Sequence, residues 1–257
     1  MSSPDSDSPK IVLHWLEKSR AQRILWLLEE LNVAYEIKRY KRDPKTALAD
    51  PQLKAIHPLG KAPVITIGDM VLAESAFITE YLSDHFGGGA LVPKRWKDGQ
   101  EGKLGGETES YLRYRYFMHY TEGSLMSLLL VALVQNNIKT APVPFFIKPV
   151  TSGIAGKIAK GYTDPNFVAH FQFLEDQLAT APEGGPYLCG PTLTGADLMM
   201  SYPTLLATSG SARAPGGLTK ESHPRLFAYG EKLQESESYK RAVEKIIALE
   251  GEYSLSP

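Results

Sequence analysis

Residues able to hold a small charged molecule concentrate in one stretch, His57 to Ser75, which reads HPLGKAPVITIGDMVLAES. Pro63 heads a β-branched run, Val64-Ile65-Thr66-Ile67. A proline there donates nothing to a strand ladder, so it belongs at an edge, a strand start or a turn. With a cis bond before it, the N–H and C=O of Ala62 turn outwards unpaired and could pair with a short peptide laid alongside as an extra strand. Glu74-Ser75 opens the helix that follows. Backbone N–H groups at that end favour a carboxylate and Glu74 favours an ammonium, so either end of such a peptide has a place to go. Upstream, Ser19 stands between an apolar run and a helix, with Arg20 and Arg23 after it. Its simplest role is to cap that helix.

The elements that must position these groups are legible in order. Lys10 to Leu16 is a short buried strand. From Arg20, residues Ile24, Leu25, Leu27, Leu28 and Leu31 recur at helical spacing to about Asn32, and Tyr35 to Tyr40 alternates as a strand does. A strand, a crossover helix and a second strand imply parallel pairing. Lys41 to Ile56 is basic and then weakly helical. Gly68-Asp69 turns a hairpin between Val64–Ile67 and Val71–Ala73, and the helix from Glu74 carries Phe77, Ile78, Tyr81 and Leu82 on one face, ending near Phe86. Seven glycines from Gly87 to Gly106 mark a linker. Beyond it the pattern is helical: Glu107 to Asn137 as one long helix or two abutting ones, then Phe167 to Ala179, Ala196 to Thr208, Arg225 to Glu235 and Tyr239 to Leu249. Thr194-Gly195-Ala196-Asp197 is an N-cap box, a structural device.

These motifs, in this order and spacing, resemble the glutathione site of the glutathione transferases: a strand turn of the form G-[KRQ]-x-P-x-L, a hairpin, and an E-S helix start. The resemblance covers roughly residues 10 to 250, and HWLEKSRAQRILWLLEEL is similar to a fungal and bacterial branch of the family. It implies an α/β thioredoxin-like N-terminal domain plus an all-α C-terminal domain. The boundaries are a tail over 1–9, a glutathione-binding domain over 10–87, a linker over 88–106 and a helical domain lining the electrophile pocket over 107–257. Glutathione is the implied co-substrate, without a metal. Ala62 with Pro63 would pair with its cysteinyl backbone, Glu74 with Ser75 would hold the γ-glutamyl end, and Lys61 would help hold the glycine carboxylate. The implied activity is conjugation of the thiolate to small hydrophobic electrophiles in detoxification or stress response. Peroxide reduction, thiol transfer in a biosynthetic pathway and a non-enzymatic glutathione-binding regulator share the scaffold.

Such chemistry needs the thiolate at neutral pH, where a free thiol titrating near ~8.5 is mostly protonated. By resemblance Ser19 is the activating hydroxyl, backed by the helix end; capping alone weighs equally. Where Tyr-type members carry their tyrosine, this chain has Trp15 or Leu16, a departure that leaves only the Trp15 indole as a donor. The corresponding electrophile pocket would take Trp15 and, from the aromatic run YLRYRYFMHYTEGS, Tyr111, Tyr114 and Met118; core or dimer packing explains any one of them as well. His119 and Ser124 could instead hold a water that activates the thiol. The family's subunits pair about a two-fold axis, and Leu128, Leu129, Val131 and Leu133 exceed what one helix face buries internally, so a homodimer is expected.

The remaining composition excludes more than it selects. With 28 basic and 29 acidic residues the net charge is −1, which implies no polyelectrolyte partner and disfavours nucleic acid. Hydrophobic residues make up 43% and charged residues 22%, as in a soluble globular protein. The single cysteine, Cys189, excludes an intramolecular disulfide, points to a reducing cytoplasmic setting, and reads as a small buried apolar residue rather than an exchanging thiol. MSSPDSDSP at the start resembles neither a signal nor a transit peptide, and no stretch approaches eighteen consecutive apolar residues, so no transmembrane segment is expected. The proline-rich loop Ala141 to Val150 has three readings: packing on the protein's own surface, a cap over the pocket, or a peripheral membrane contact as in some relatives.

Overall fold

The computed structural model describes residues 9–209 and 215–255, so the expected tail lies, apart from Pro9, outside the described residues. The first elements are β1 (Ile11–Leu16), α1 (Ala21–Glu30), β2 (Glu36–Tyr40), a single-turn α2 (Leu53–Ile56), β3 (Val64–Ile67), β4 (Met70–Ala73) and α3 (Ser75–Phe86). They build a mixed sheet in the order β2-β1-β3-β4. β1 runs parallel to β2 and antiparallel to β3. The β3–β4 hairpin turns at Gly68-Asp69, with Gly68 at φ 57°, a conformation glycine adopts without Cβ strain.

Contacts divide the chain into two units. One holds the residues through Pro93 together with those from Gln234 onward; the other runs from Lys94 to Leu233. The division departs from the expected one at the C-terminal end, where the last helix, α10 (Glu237–Glu250), joins the sheet rather than the helical unit.

The reason lies in α1, which is buried along its length from Ala21 to Glu29. Its buried residues face every side and include Gln22, Arg23 and Glu29 beside the apolar side chains, so each side needs cover and the polar ones need partners. The sheet and α3 supply two faces, and α10 supplies the third. Trp26 donates its indole N–H to Ser238 Oγ at 2.8 Å and meets the Tyr239 ring edge-on, with centroids 5.1 Å apart. Beside them the buried Glu29 carboxylate accepts from Tyr35 Oη at 2.5 Å, from Arg241 Nε at 3.0 Å and from Lys245 Nζ. Burial pushes the Glu29 carboxyl up, and the hydrogen bonds from Lys245, Tyr35 and Arg241 together pull it below its ordinary value. In α3 the buried stripe is Ser75, Ile78, Thr79, Leu82 and Ser83, whereas Phe77, expected inside, is 49% exposed.

The second unit contains α4 (Glu109–Tyr120), a π-turn over Thr121–Met126, α5 (Ser127–Thr140), α6 (Lys148–Ile158), a second π-turn over Ala159–Thr163, α7 (Asp164–Ala179), α8 (Gly195–Thr208) and most of α9 (Pro224–Glu235). The helical run Glu109–Thr140 is long and apolar enough to cross a membrane by length and composition alone. Its Tyr114, Phe117, Met118, Leu125 and Met126 are buried and α4 packs against α8, while 39% of its most apolar window is buried overall. Two expectations need correction. Leu128, assigned to a subunit interface, is buried within this unit, and the exposed large apolar residues of α5 are Leu130 and Val134, because α5 packs on α6. The Ala141–Val150 segment does not pack on its own surface: Phe145 is 83% exposed, and the segment runs into α6, a helix whose Gly153 and Gly156 obscure its periodicity.

The N-cap box over Thr194–Asp197 forms. The fully buried Asp197 carboxylate accepts from Thr194 N–H (2.8 Å), Thr194 Oγ1 (2.7 Å), Leu188 N–H (3.2 Å) and Tyr229 Oη (2.8 Å), joining α8 to α9. Cys189 is buried beside it, and burial followed by the Asp197 charge pushes its thiol far up.

Candidate active site

The sheet register brings three chain segments to one end of the first unit. Leu16, the last residue of β1, pairs with Tyr40 of β2. His14 pairs with Val64, the first residue of β3, and Val64 pairs in turn with Ala73, the last of β4. The Glu17–Arg20 turn, the Lys61–Pro63 turn and the start of α3 therefore meet at the same edge.

At that edge the Ala62–Pro63 peptide is cis. The Ala62 methyl packs on Leu16, Tyr40 and Leu53, while its N–H and C=O form no hydrogen bond among the described residues. A half-exposed residue with a rigid side and an open backbone is what an added peptide strand requires. Lys61 is exposed beside it. Glu74 is exposed and holds φ 71°, a left-handed conformation uncommon in a non-glycine residue. This turn carries the chain from β4 into α3, whose first residue, Ser75, is 4% exposed and accepts Thr79 Oγ1 at its carbonyl. Glu74 and Ser75 thus stand at the positive end of a twelve-residue helix.

Ser19 is occupied differently from a simple donor. Its hydroxyl donates to the Leu16 carbonyl at 2.7 Å and accepts from Ala21 N–H at 3.2 Å, fastening the end of β1 to the first turn of α1. A hydroxyl has one proton to give. The N-cap of α1 is Arg20, so Ser19 fastens the turn one residue ahead of the cap, and donation to a sulfur needs the proton to leave Leu16. Lys18, just before it, is left-handed at φ 48°.

The residues expected to line an electrophile pocket divide between the two units, Trp15 in the first and Tyr111, Tyr114, Met118, His119 and Ser124 in the second. Trp15 is fully buried, its indole N–H is engaged by Glu250 Oε1 at 2.8 Å so that it is no free donor, and it lines a cleft within the first unit. In the second unit Tyr114 and Met118 are 2% and 1% exposed and belong to its core, because their face of α4 turns inwards. Tyr111 is half-buried under Arg95, whose guanidinium lies 5.5 Å from the ring centre. His119 is exposed and Ser124 half-buried in the π-turn, and no hydrogen bond joins them among the described residues. Another pair was missed: Tyr120 Oη and His170 Nδ1 lie 2.7 Å apart, and burial lowers the imidazole below its ordinary value.

The cleft lies beside the Ser19 turn, and of its walls sequence reading named Trp15 alone as a pocket residue. It is lined by Trp15, Glu17, Lys18 and Gln22 on one side and by Ile246, Glu250, Glu252 and Ser254 on the other. Gln22 Nε2 donates to the Ser254 carbonyl at 2.9 Å, and Arg39 pairs with Glu250. The amphipathic period of α10 was visible, but nothing local announces its partner. Among the described residues, no group of three or more His, Cys, Asp or Glu is placed to hold a metal ion.

A four-stranded thioredoxin-like unit with an open backbone before a cis-proline, followed by a mostly helical region, defines the glutathione transferase class of fold. The chain belongs to that enzyme family. Residues 8–84 match the family model for the glutathione S-transferase N-terminal domain. The chain is 33% identical over 247 residues to glutathione S-transferase 1 of Saccharomyces cerevisiae, covering 94% of this chain and 97% of that one. It is also similar to the crystal structure of a glutathione S-transferase from Actinobacillus pleuropneumoniae, with a TM-score of 0.63, 31% identity, and 91% and 92% of the two chains covered. Ure2p5 from Phanerochaete chrysosporium, cocrystallized with 1-(S-glutathionyl)-2,4-dinitrobenzene, shares the fold at a TM-score of 0.66 and 14% identity, covering 97% of this chain and 100% of that one.

Proposed function

We propose that this enzyme binds glutathione along the Ala62–Pro63 edge and transfers its thiolate to small hydrophobic electrophiles. The observation that carries this reading is the convergence of Ala62's unbonded backbone, the Glu74–Ser75 helix start and the Ser19 turn at one sheet end. In it, Ala62 pairs with the cysteinyl backbone. Ser75 and the α3 N-terminus receive the γ-glutamyl carboxylate, Glu74 receives the ammonium, and Lys61 receives the glycine carboxylate.

The thiol then faces the Ser19 turn. Ser19 activates it by exchanging a neutral acceptor, the Leu16 carbonyl, for a charged one, the thiolate. A hydrogen bond to a charged group is worth about 1.5–3 kcal/mol against about 1 for a neutral one, so the exchange runs downhill once the thiol has ionised. The protein contributes no thiol of its own, since Cys189 is the chain's single cysteine and is buried in the other unit. The glutathione conjugate bound by Ure2p5 supports aryl halides as the first electrophiles to try. Turnover of 1-chloro-2,4-dinitrobenzene, isothiocyanates and organic hydroperoxides at saturating glutathione tests the reading. Activity confined to hydroperoxides would replace conjugation with peroxide reduction.

A further inference from the structure

Arg42 stands two residues beyond β2 and joins two loops. Its backbone N–H donates to Glu17 Oε1 at 2.8 Å, Nε to the Glu17 carbonyl at 3.3 Å and Nη2 to the Lys18 carbonyl at 3.2 Å. On its other side Nη1 donates to the Ala47 carbonyl at 3.0 Å. The far loop is itself closed, by a bridge between Arg42 and Ala49 and by Asp43 Oδ1 accepting from Lys45 N–H, Thr46 N–H and Thr46 Oγ1. A braced loop thus holds the guanidinium, and the guanidinium holds the turn before α1. That turn passes through Lys18 at φ 48° and Ala47 faces it at φ 56°, both conformations that side chains with a Cβ rarely adopt unless surroundings impose them. Three backbone carbonyls converge on one planar group, a match that the fork geometry of arginine makes and a lysine ammonium does not.

We propose that Arg42 is a positioning residue for thiol activation. Its guanidinium locks Lys18 in the left-handed turn that aims Ser19 and the start of α1 at the glutathione sulfur. The inference rests on the glutathione reading of the Ala62 edge. Arg42 touches neither the thiol nor the electrophile; it acts through the Lys18 and Glu17 carbonyls. The charged groups around the turn are Glu17, Lys18 and Arg20 within it and Lys41 and Asp43 beside Arg42. Across the cleft stand Glu250 and Glu252. Arg42→Lys leaves this set of charges unchanged, so any shift in the pH profile reads geometry.

The test compares wild type, Arg42→Lys and Arg42→Gln by glutathione calorimetry, by the ultraviolet thiolate band of bound glutathione, and by the pH profile of kcat. Expected are glutathione Kd values within about twofold of wild type, a weaker thiolate band at neutral pH, and an acid limb of kcat moved up by about one pH unit, a tenfold loss at a pH below it. Adding Lys18→Gly to Arg42→Lys should restore part of the loss, because glycine holds the left-handed turn without the clamp. The proposal fails if the folded variants keep the wild-type limb and thiolate band, or if affinity and melting temperature fall together while the limb stays. It fails equally if Arg42→Lys does not fold, since Arg42 then serves the fold alone. Wild-type protein that does not bind glutathione overturns the site reading instead, before any variant is compared.

Discussion

Replacing Ser19 by alanine separates its two duties. In the structure its proton goes to Leu16 O at 2.7 Å and its oxygen accepts Ala21 N–H at 3.2 Å. With thiolate bound, the proton moves from a neutral acceptor worth about 1 kcal/mol to a charged one worth about 1.5–3, a net preference for the ionised thiol of about 0.5–2 kcal/mol. At 1.36 kcal/mol per unit, the bound thiol of Ser19→Ala should titrate about 0.4–1.5 units higher, with turnover down about two- to thirtyfold below that pKa. The lost turn hydrogen bonds cost a further ~0.5–1.5 kcal/mol each of folding stability. Glutathione affinity should be nearly unchanged, because Ala62, Glu74 and Ser75 lie on other segments. Titrating the thiolate absorbance of the complex, with denaturant melts in parallel, reads both quantities. A bound thiol that titrates at the wild-type pH in the variant, with only stability lost, refutes the donor exchange and leaves Ser19 as a fastener of the turn. His119→Ala then becomes the variant to test, for a water-mediated route.

Ser75→Ala removes one hydrogen bond to a charged group from the buried start of α3, and calorimetry should show glutathione affinity down roughly ten- to hundredfold. Glu29→Gln should lower stability at neutral pH by about 1–3 kcal/mol, a range discounted because Arg241 and Lys245 are each nearly half exposed. The sign with pH follows from a carboxyl whose folded pKa lies below the ordinary 4.5: its contribution is fully present above that value and is lost as pH falls through the folded pKa. Denaturant melts from neutral to acid pH should therefore show wild type and Glu29→Gln converging below about pH 4.5, and a constant gap would contradict this. The exposed apolar positions Leu112, Tyr116, Leu130 and Val134 support a homodimer, and equilibrium sedimentation should give twice the 28.3 kDa chain mass at micromolar concentration.

Much of the ligand-facing edge is local chemistry, and local chemistry is legible. A proline before a β-branched run, a glycine turn and an acid-hydroxyl pair before an apolar helix each constrain φ, ψ or hydrogen bonding within a few residues. Their order along the chain therefore determined both the hairpin and the place of Ala62, Glu74 and Ser75. The helices of the second unit were readable for the same reason, except α6, whose glycines and Pro149 dilute its period.

The chain pattern could not say which buried stripe meets which. The periods of α1 and α10 were both visible, yet the pairing that makes Glu250 the partner of Trp15 and Lys245 the partner of Glu29 joins residues more than two hundred positions apart. Apolar periodicity has no address: it states that a face must be covered, not by what. The same limit put Tyr114 and Met118 in a pocket when their face turns into the core. It also hid Arg42, an arginine in a basic stretch that looks solvated until the β1–β2 register brings the Glu17 and Lys18 carbonyls within its reach. Ser19 shows the boundary most sharply. Its position named two roles at once, a helix cap and a thiol activator, and only the tertiary structure shows its hydroxyl bridging the Leu16 carbonyl and the Ala21 N–H one residue before the cap.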